Sequence, residues 1–159
     1  MDSVFTYLNN LGITCKLLTH EAVFTVEESK NIRFDVDFGE NKNLFLRNKK
    51  GDKHFLVTIA AEKRLDLERF ARLTGESKVG FASPKRLKEY LDLTPGSVSP
   101  FGLINDMNHQ VIYVLDADLL KHETLGFHPN VNTKTIVIQT KDFKRYLEST
   151  GNKVLYLNI

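Results

Sequence analysis

The chain has 159 residues, 42% hydrophobic and 26% charged, enough for one folded domain with a sizeable core. Its formal net charge of +2 is too small for the overall field to predict a nucleic-acid partner, and a single cysteine, Cys15, excludes a disulfide framework and any cysteine-rich zinc site. No apolar run approaches the roughly 20 residues that span a bilayer, and the N-terminus lacks the basic-then-apolar pattern of a secretion signal, so the expected compartment is the cytoplasm.

Asp2–Leu11 reads as a first helix, with Val4, Leu8 and Leu11 on one face, Asp2 or Ser3 as cap, and Gly12 ending it. Cys15–Thr19 is a short strand. Thr25-Val-Glu-Glu28 has the form of a capping box, so a helix is expected to start there. Asp35–Asn41 is polar and reads as a loop. Asn43–Asn48 and His54–Ile59 are strands of a hairpin joined by a Lys-Lys-Gly-Asp turn.

Leu65–Leu73 is expected to be helical, burying Leu65, Phe70 and Leu73, and Val79–Ala82 is a short strand. Ser83-Pro84 caps and starts the next helix, which runs through Leu91, with Pro at the first helical position where its missing N–H is no loss. Phe101–Ile104 and Gln110–Leu115 form an expected second hairpin. Ala117–Lys121 is a short helix, Lys134–Gln139 a strand, Asp142–Ser149 the last helix and Val154–Leu157 a final strand. Two hairpins without a regular βαβ rhythm predict an α+β fold around a mixed, largely antiparallel sheet, with residues 1–159 as a single domain.

Two groups of basic residues stand out: Lys42, Arg47, Lys49, Lys50 and Lys53, then Lys78, Lys85, Arg86 and Lys88. They are either solvated faces of a hairpin and a helix or a few phosphate contacts to RNA. The loop Gly96-Ser-Val-Ser-Pro100 is built from small residues; Gly96 permits close backbone approach and Pro100 stiffens the exit. Neither Ser97 nor Ser99 has a recognisable histidine–carboxylate pair beside it, and no Gly-x-Ser-x-Gly elbow exists, so a serine nucleophile is discounted. The histidines form no HExxH-type spacing. By residue type alone, Lys42 reads as a surface lysine at a strand start, and His128, before Pro129, either handles substrate or satisfies a backbone carbonyl.

Four segments in order resemble the YbaK/prolyl-tRNA synthetase editing superfamily: His20-Glu-Ala-Val-Phe-Thr-Val-Glu-Glu, Lys42-Asn-Leu-Phe-Leu, the GxxxP loop Gly96–Pro100, and Gly126-Phe-His-Pro-Asn with Asn132-Thr133. The freestanding alanyl-tRNA(Pro) deacylase branch (ProXp-ala, PrdX-like) is the most similar. The resemblance implies a curved, barrel-like mixed sheet with helices packed outside. It implies hydrolysis in trans of the ester of mischarged Ala-tRNA(Pro), with proline excluded by size. Alternatives are a deacylase for another small amino acid, as in Cys-tRNA(Pro), and a non-catalytic module that binds aminoacyl-tRNA or a synthetase.

It also implies roles for residues. Catalytic roles fall to Lys42, Asn43, Gly96, Ser97 and His128. Lys42 would grip the terminal phosphate or ester end, and the loop would hold the carbonyl oxygen as its charge grows. Substrate binding falls to His20, Phe24 and Val26, to Ser99, Pro100 and Phe101, and to Asn132 and Thr133. Lys42 and Asn43 share one ligand only if their strand begins irregularly, because successive strand residues point to opposite faces. No cofactor and no metal are implied. The implied partner is the acceptor end of tRNA(Pro), with prolyl-tRNA synthetase or an elongation factor as a docking partner.

Overall fold

In the computed structural model, residues 2–19, 38–130 and 133–159 are described. The expected capping box at Thr25 and the candidates His20, Phe24, Val26 and Asn132 lie outside them. Helix α1 spans Asp2–Asn10 and buries Val4 and Leu8, as the apolar spacing requires. The strands are β1 (Lys16–Thr19), β2 (Asn41–Asn48), β3 (His54–Ala60), β4 (Val79–Phe81), β5 (Val111–Asp116), β6 (Thr124–Phe127), β7 (Lys134–Gln139) and β8 (Val154–Leu157).

They form two sheets, a three-stranded one in the order β1-β7-β6 and a five-stranded one in the order β4-β2-β3-β5-β8. All pairs are antiparallel except β3 with β5 and β5 with β8. The fold is thus α+β with a mixed, largely antiparallel arrangement. The described strands stand as two sheets rather than one closed barrel. A bridge joins the sheets ahead of β2: the Gly39 N–H donates to the Thr124 carbonyl at 2.8 Å, and Gly39 pairs with Leu125.

The remaining helices are α2 (Leu67–Thr74), α3 (Pro84–Leu91) and α4 (Thr140–Thr150). Asp66 caps α2 by accepting from the Arg69 N–H, so the helix starts two residues later than expected, and Phe70 and Ala71 are its buried positions. Leu73, expected in the core, is 45% exposed. Ser83 caps α3 with Pro84 following, as its sequence predicts.

The expected strand over Phe101–Ile104 is a 3-10 helix, Pro100–Asn105. Pro100 cannot donate to a sheet ladder, and Ser99, in extended conformation, turns its hydroxyl onto the Phe101 N–H as a helix cap. The second hairpin is therefore absent, and β5 instead lies parallel to β3 and β8.

One core lies against α1, α3 and α4 and contains Phe45, Leu56, Tyr113, Phe101, Phe127 and Phe143; a second contains Leu46, Phe55, Val57, Phe70 and Val114. Alternation along β2 and β3 assigns one strand face to each core. Phe101 meets Tyr146, Phe127 and Phe143 edge-on, with centroids 5.0, 6.0 and 6.4 Å away, which anchors the 3-10 helix beneath the loop that precedes it.

Candidate functional site

Three of the sequence-predicted segments converge. Asn41 opens β2, and its Nδ2 donates to the Gly39 carbonyl at 2.9 Å and to the Gly126 carbonyl at 3.1 Å, tying β2 to β6. Ser99, fully buried, donates its hydroxyl to the His128 carbonyl and accepts from the Phe101 N–H at 3.2 Å. The Gly96–Pro100 loop and the residues after β6 are thus latched together. Gly126 belongs to β6, paired with Val137, and the chain leaves the ladder after Phe127, so only His128 onward lies outside the strand.

A buried polar relay fixes Asn43. The Tyr113 hydroxyl donates to Thr58 Oγ1 at 2.6 Å, and Thr58 donates to Asn43 Oδ1 at 2.5 Å. Tyr113 and Thr58 are both fully buried. Burial pushes the Tyr113 phenol far above its ordinary value, so it stays a neutral donor. With Oδ1 occupied, the amide orientation of Asn43 is set. Its Nδ2 donates one N–H to Asn41 Oδ1 at 3.5 Å and presents the other, a donor aimed by the two residues behind it.

His128 is half-buried, and its Nδ1 stands 3.0 Å from the Lys134 carbonyl. A carbonyl only accepts, so Nδ1 carries a proton in this contact. Gly96 adopts φ +87°, which a side chain would strain, and its loop turns through the Ser97 N–H donating to the Thr94 carbonyl at 3.1 Å. The N–H groups of Gly96 and Val98 donate to no acceptor among the described residues.

Other candidates stand differently. Lys42 pairs with Ile59 in a register that runs without interruption from Asn41 to Arg47. The irregular strand start that would let Lys42 and Asn43 share one ligand does not occur. Lys42 leaves β2 on the face of Leu44 and Leu46, Asn43 on that of Phe45. The Lys42 stem is half-buried, and its ammonium has no ion-pair partner among the described residues.

Pro100 and Phe101 are core residues rather than open lining; the Pro100 carbonyl accepts from the Tyr146 hydroxyl at 2.8 Å. The Ser99 hydroxyl is committed to its latch. Thr133 is exposed just before β7. A cavity of about 360 Å³ lined by Leu120, Glu123, Gln139, Thr140, Lys141 and Lys144 contains none of the predicted site residues. Among the described residues, no group of three or more His, Cys, Asp or Glu side chains is placed to hold a metal.

Asn41, Thr58 and Tyr113 were not among the sequence candidates. The signal for Asn41 was an Asn-Lys-Asn run entering an apolar strand; Thr58 was the single hydroxyl inside the apolar run of β3.

The family model described as an aminoacyl-tRNA editing domain matches residues 20–146. The chain belongs to the aminoacyl-tRNA editing domain family. This editing domain is 38% identical to the prolyl-tRNA editing protein ProX of Acetoanaerobium sticklandii over 152 residues, covering 95% of this chain and 92% of that protein. It is 32% identical to the prolyl-tRNA synthetase associated domain-containing protein 1 of Bos taurus, covering 93% and 88%. The crystal structure of the hypothetical protein APE2540 superposes with a TM-score of 0.75 at 21% identity, covering 96% of this chain and 97% of that one, a likeness of fold. Among the described residues, no helix of the editing domain is long and apolar enough to cross a membrane.

Proposed function

We propose that residues 1–159 act as one trans-editing deacylase that hydrolyses the ester of alanine mischarged onto tRNA(Pro). The observation that carries this reading is the Tyr113–Thr58–Asn43 relay, which fixes an uncharged amide on the strand that Asn41 ties to Gly126, two residues before the His128 carbonyl that latches the loop. Fixed neutral donors suit an ester whose carbonyl oxygen gains charge only in the transition state.

Water attacks the ester carbonyl carbon, and negative charge grows on the carbonyl oxygen. The Asn43 Nδ2 and the loop N–H groups of Gly96 and Val98 take up that charge. The bond from carbonyl carbon to ribose oxygen then breaks. Alanine leaves, and a proton from the water restores the ribose hydroxyl. His128 positions the attacking water or the ribose hydroxyl. An aminoacyl ester is already activated, so positioning and charge stabilisation suffice without a strong base.

Lys42 acts from the other face of β2 as the clamp on the terminal phosphate. Ser99, Pro100 and Phe101 act by holding the loop in place. A pocket that admits alanine excludes proline by overlap, where a synthetase site built for proline gains only ~1–3 kcal/mol of discrimination against a smaller side chain. Prolyl-tRNA synthetase or an elongation factor delivers the substrate, in the cytoplasm.

The test is a deacylation panel of Ala-tRNA(Pro), Pro-tRNA(Pro), Cys-tRNA(Pro) and Ala-tRNA(Ala). Loss of amino acid from the first alone is the expected result. Release from Cys-tRNA(Pro) in preference would move the specificity to cysteine, and inactivity on all four would make the chain a binding module.

A further inference from the structure

The two basic groups that are far apart in sequence meet around one glycine. Gly51, in the turn between β2 and β3, adopts φ +74°, and a Cβ there would lie 3.0 Å from Nη2 of both Arg47 and Arg86. The two guanidinium tips are therefore within about 6 Å of each other. Each is held by neutral acceptors. Arg47 donates from Nε to the Asn48 carbonyl and from Nη2 to the Lys49 carbonyl, both at 3.1 Å. Arg86 donates from Nη1 to the Gly51 carbonyl at 3.1 Å and to His54 Nε2 at 3.0 Å.

These contacts orient the pair without neutralising it. Neither arginine has an ion-pair partner among the described residues. The acidic groups whose field reaches His54 here are Asp52, bonded to Asn48 Nδ2 at 2.6 Å, and Glu89, one helical turn beyond Arg86. Several N–H groups remain on each planar fork, the geometry that matches phosphate oxygens. Exposed Lys49, Lys50 and Lys85 flank the pair.

Position selects the kind of anion. Arg47 lies four residues along β2 from Asn43 and leaves the strand on the same face, about 13 Å away. Between them Phe45 is buried against His54 and Tyr90, so a ligand that reaches both positions crosses outside that packing, a span longer than one nucleotide. We propose that Arg47 and Arg86, seated on Gly51, bind backbone phosphates of the RNA that carries the aminoacyl end, beyond its terminal nucleotides. This rests on the deacylase reading and adds where the body of the substrate lies.

The experiment compares kcat/KM on Ala-tRNA(Pro) and on an alanylated CCA trinucleotide, for the wild type and for R47Q/R86Q, from 50 to 200 mM salt. The trinucleotide carries the ester but no stem, so its turnover also reports that the variant is folded. The expected result is a loss of about tenfold on the tRNA at low salt and a salt slope shallower by between about one and two. Turnover of the trinucleotide is retained, and R47K/R86K recovers part of the loss on the tRNA. Unchanged turnover and slope on the tRNA, or equal losses on both substrates, would overturn the phosphate role. A wild type inactive on both substrates would overturn the deacylase reading itself.

Discussion

The two ends of β2 are organised by asparagines for opposite purposes. At the start of the strand, Asn41 and Asn43 belong to an uncharged network that runs from Tyr113 to the Gly126 carbonyl. At its end, Asn48 accepts from the Asp52 and Lys53 N–H groups and donates to Asp52 and Glu76, shaping a turn crowded with cations. Hydrogen bonding from Asn48 holds the Glu76 carboxyl below its ordinary range. Charge that develops during reaction is best met by fixed dipoles, whereas charge already present on a substrate is best met by cations. In the proposed reaction one strand carries both solutions, a few residues apart.

If that division is right, damage at the two ends has different signatures. The largest effect is expected from Asn43→Ala, which removes the presented donor. Single-turnover deacylation of Ala-tRNA(Pro) should slow by about 10²–10³-fold, with little change in binding. Asn48→Ala should instead cost about 2 kcal/mol of stability, read as a lower denaturant midpoint, because it strands several partners at once. Its turnover of a short alanylated substrate should be preserved. Tyr113→Phe keeps the ring and deletes the hydroxyl that orients Thr58. A slowing of about tenfold in the chemical step, without loss of substrate affinity, is expected.

The smallest effect concerns pH. His54 is buried between Phe45 and Tyr90, with centroids 5.5 and 4.0 Å away. Burial first, then the charges of Arg86 and Arg47, lower its pKa from 6.5 to about 4. The unfolded chain takes up the proton before the folded one. Stability is therefore full above pH 6.5 and declines as pH falls towards about 4. Thermal midpoints measured across that window should fall, and His54→Gln should flatten the trend.

Much of the frame was legible from residue pattern. The apolar spacing of Val4 and Leu8, the Ser83-Pro84 cap and the β2–β3 hairpin follow from local rules, and all are found. The Phe101–Ile104 run was too short for periodicity to separate strand from helix, and the Ser99 cap with Pro100 decided it locally. Leu73 shows the same limit: an apolar residue at a plausible position, but on the solvent side of α2.

At the site, the segments that converge were visible as motifs, yet their division of labour was not. Ser99 reads as a pocket hydroxyl and is a latch; Phe101 reads as lining and is core. The relay through Thr58 and Tyr113, like the meeting of Arg47 and Arg86, depends on contacts between residues far apart in sequence. No local pattern encodes these.

The most direct measurement is a double-mutant cycle on the single-turnover rate with Ala-tRNA(Pro), using Asn43→Ala, Tyr113→Phe and the pair together. Because Tyr113 acts through the Asn43 amide, the double variant should be no slower than Asn43→Ala alone. Independent, multiplying losses would contradict the relay. A wild-type rate in Asn43→Ala would contradict the placement of the reacting carbonyl at that donor.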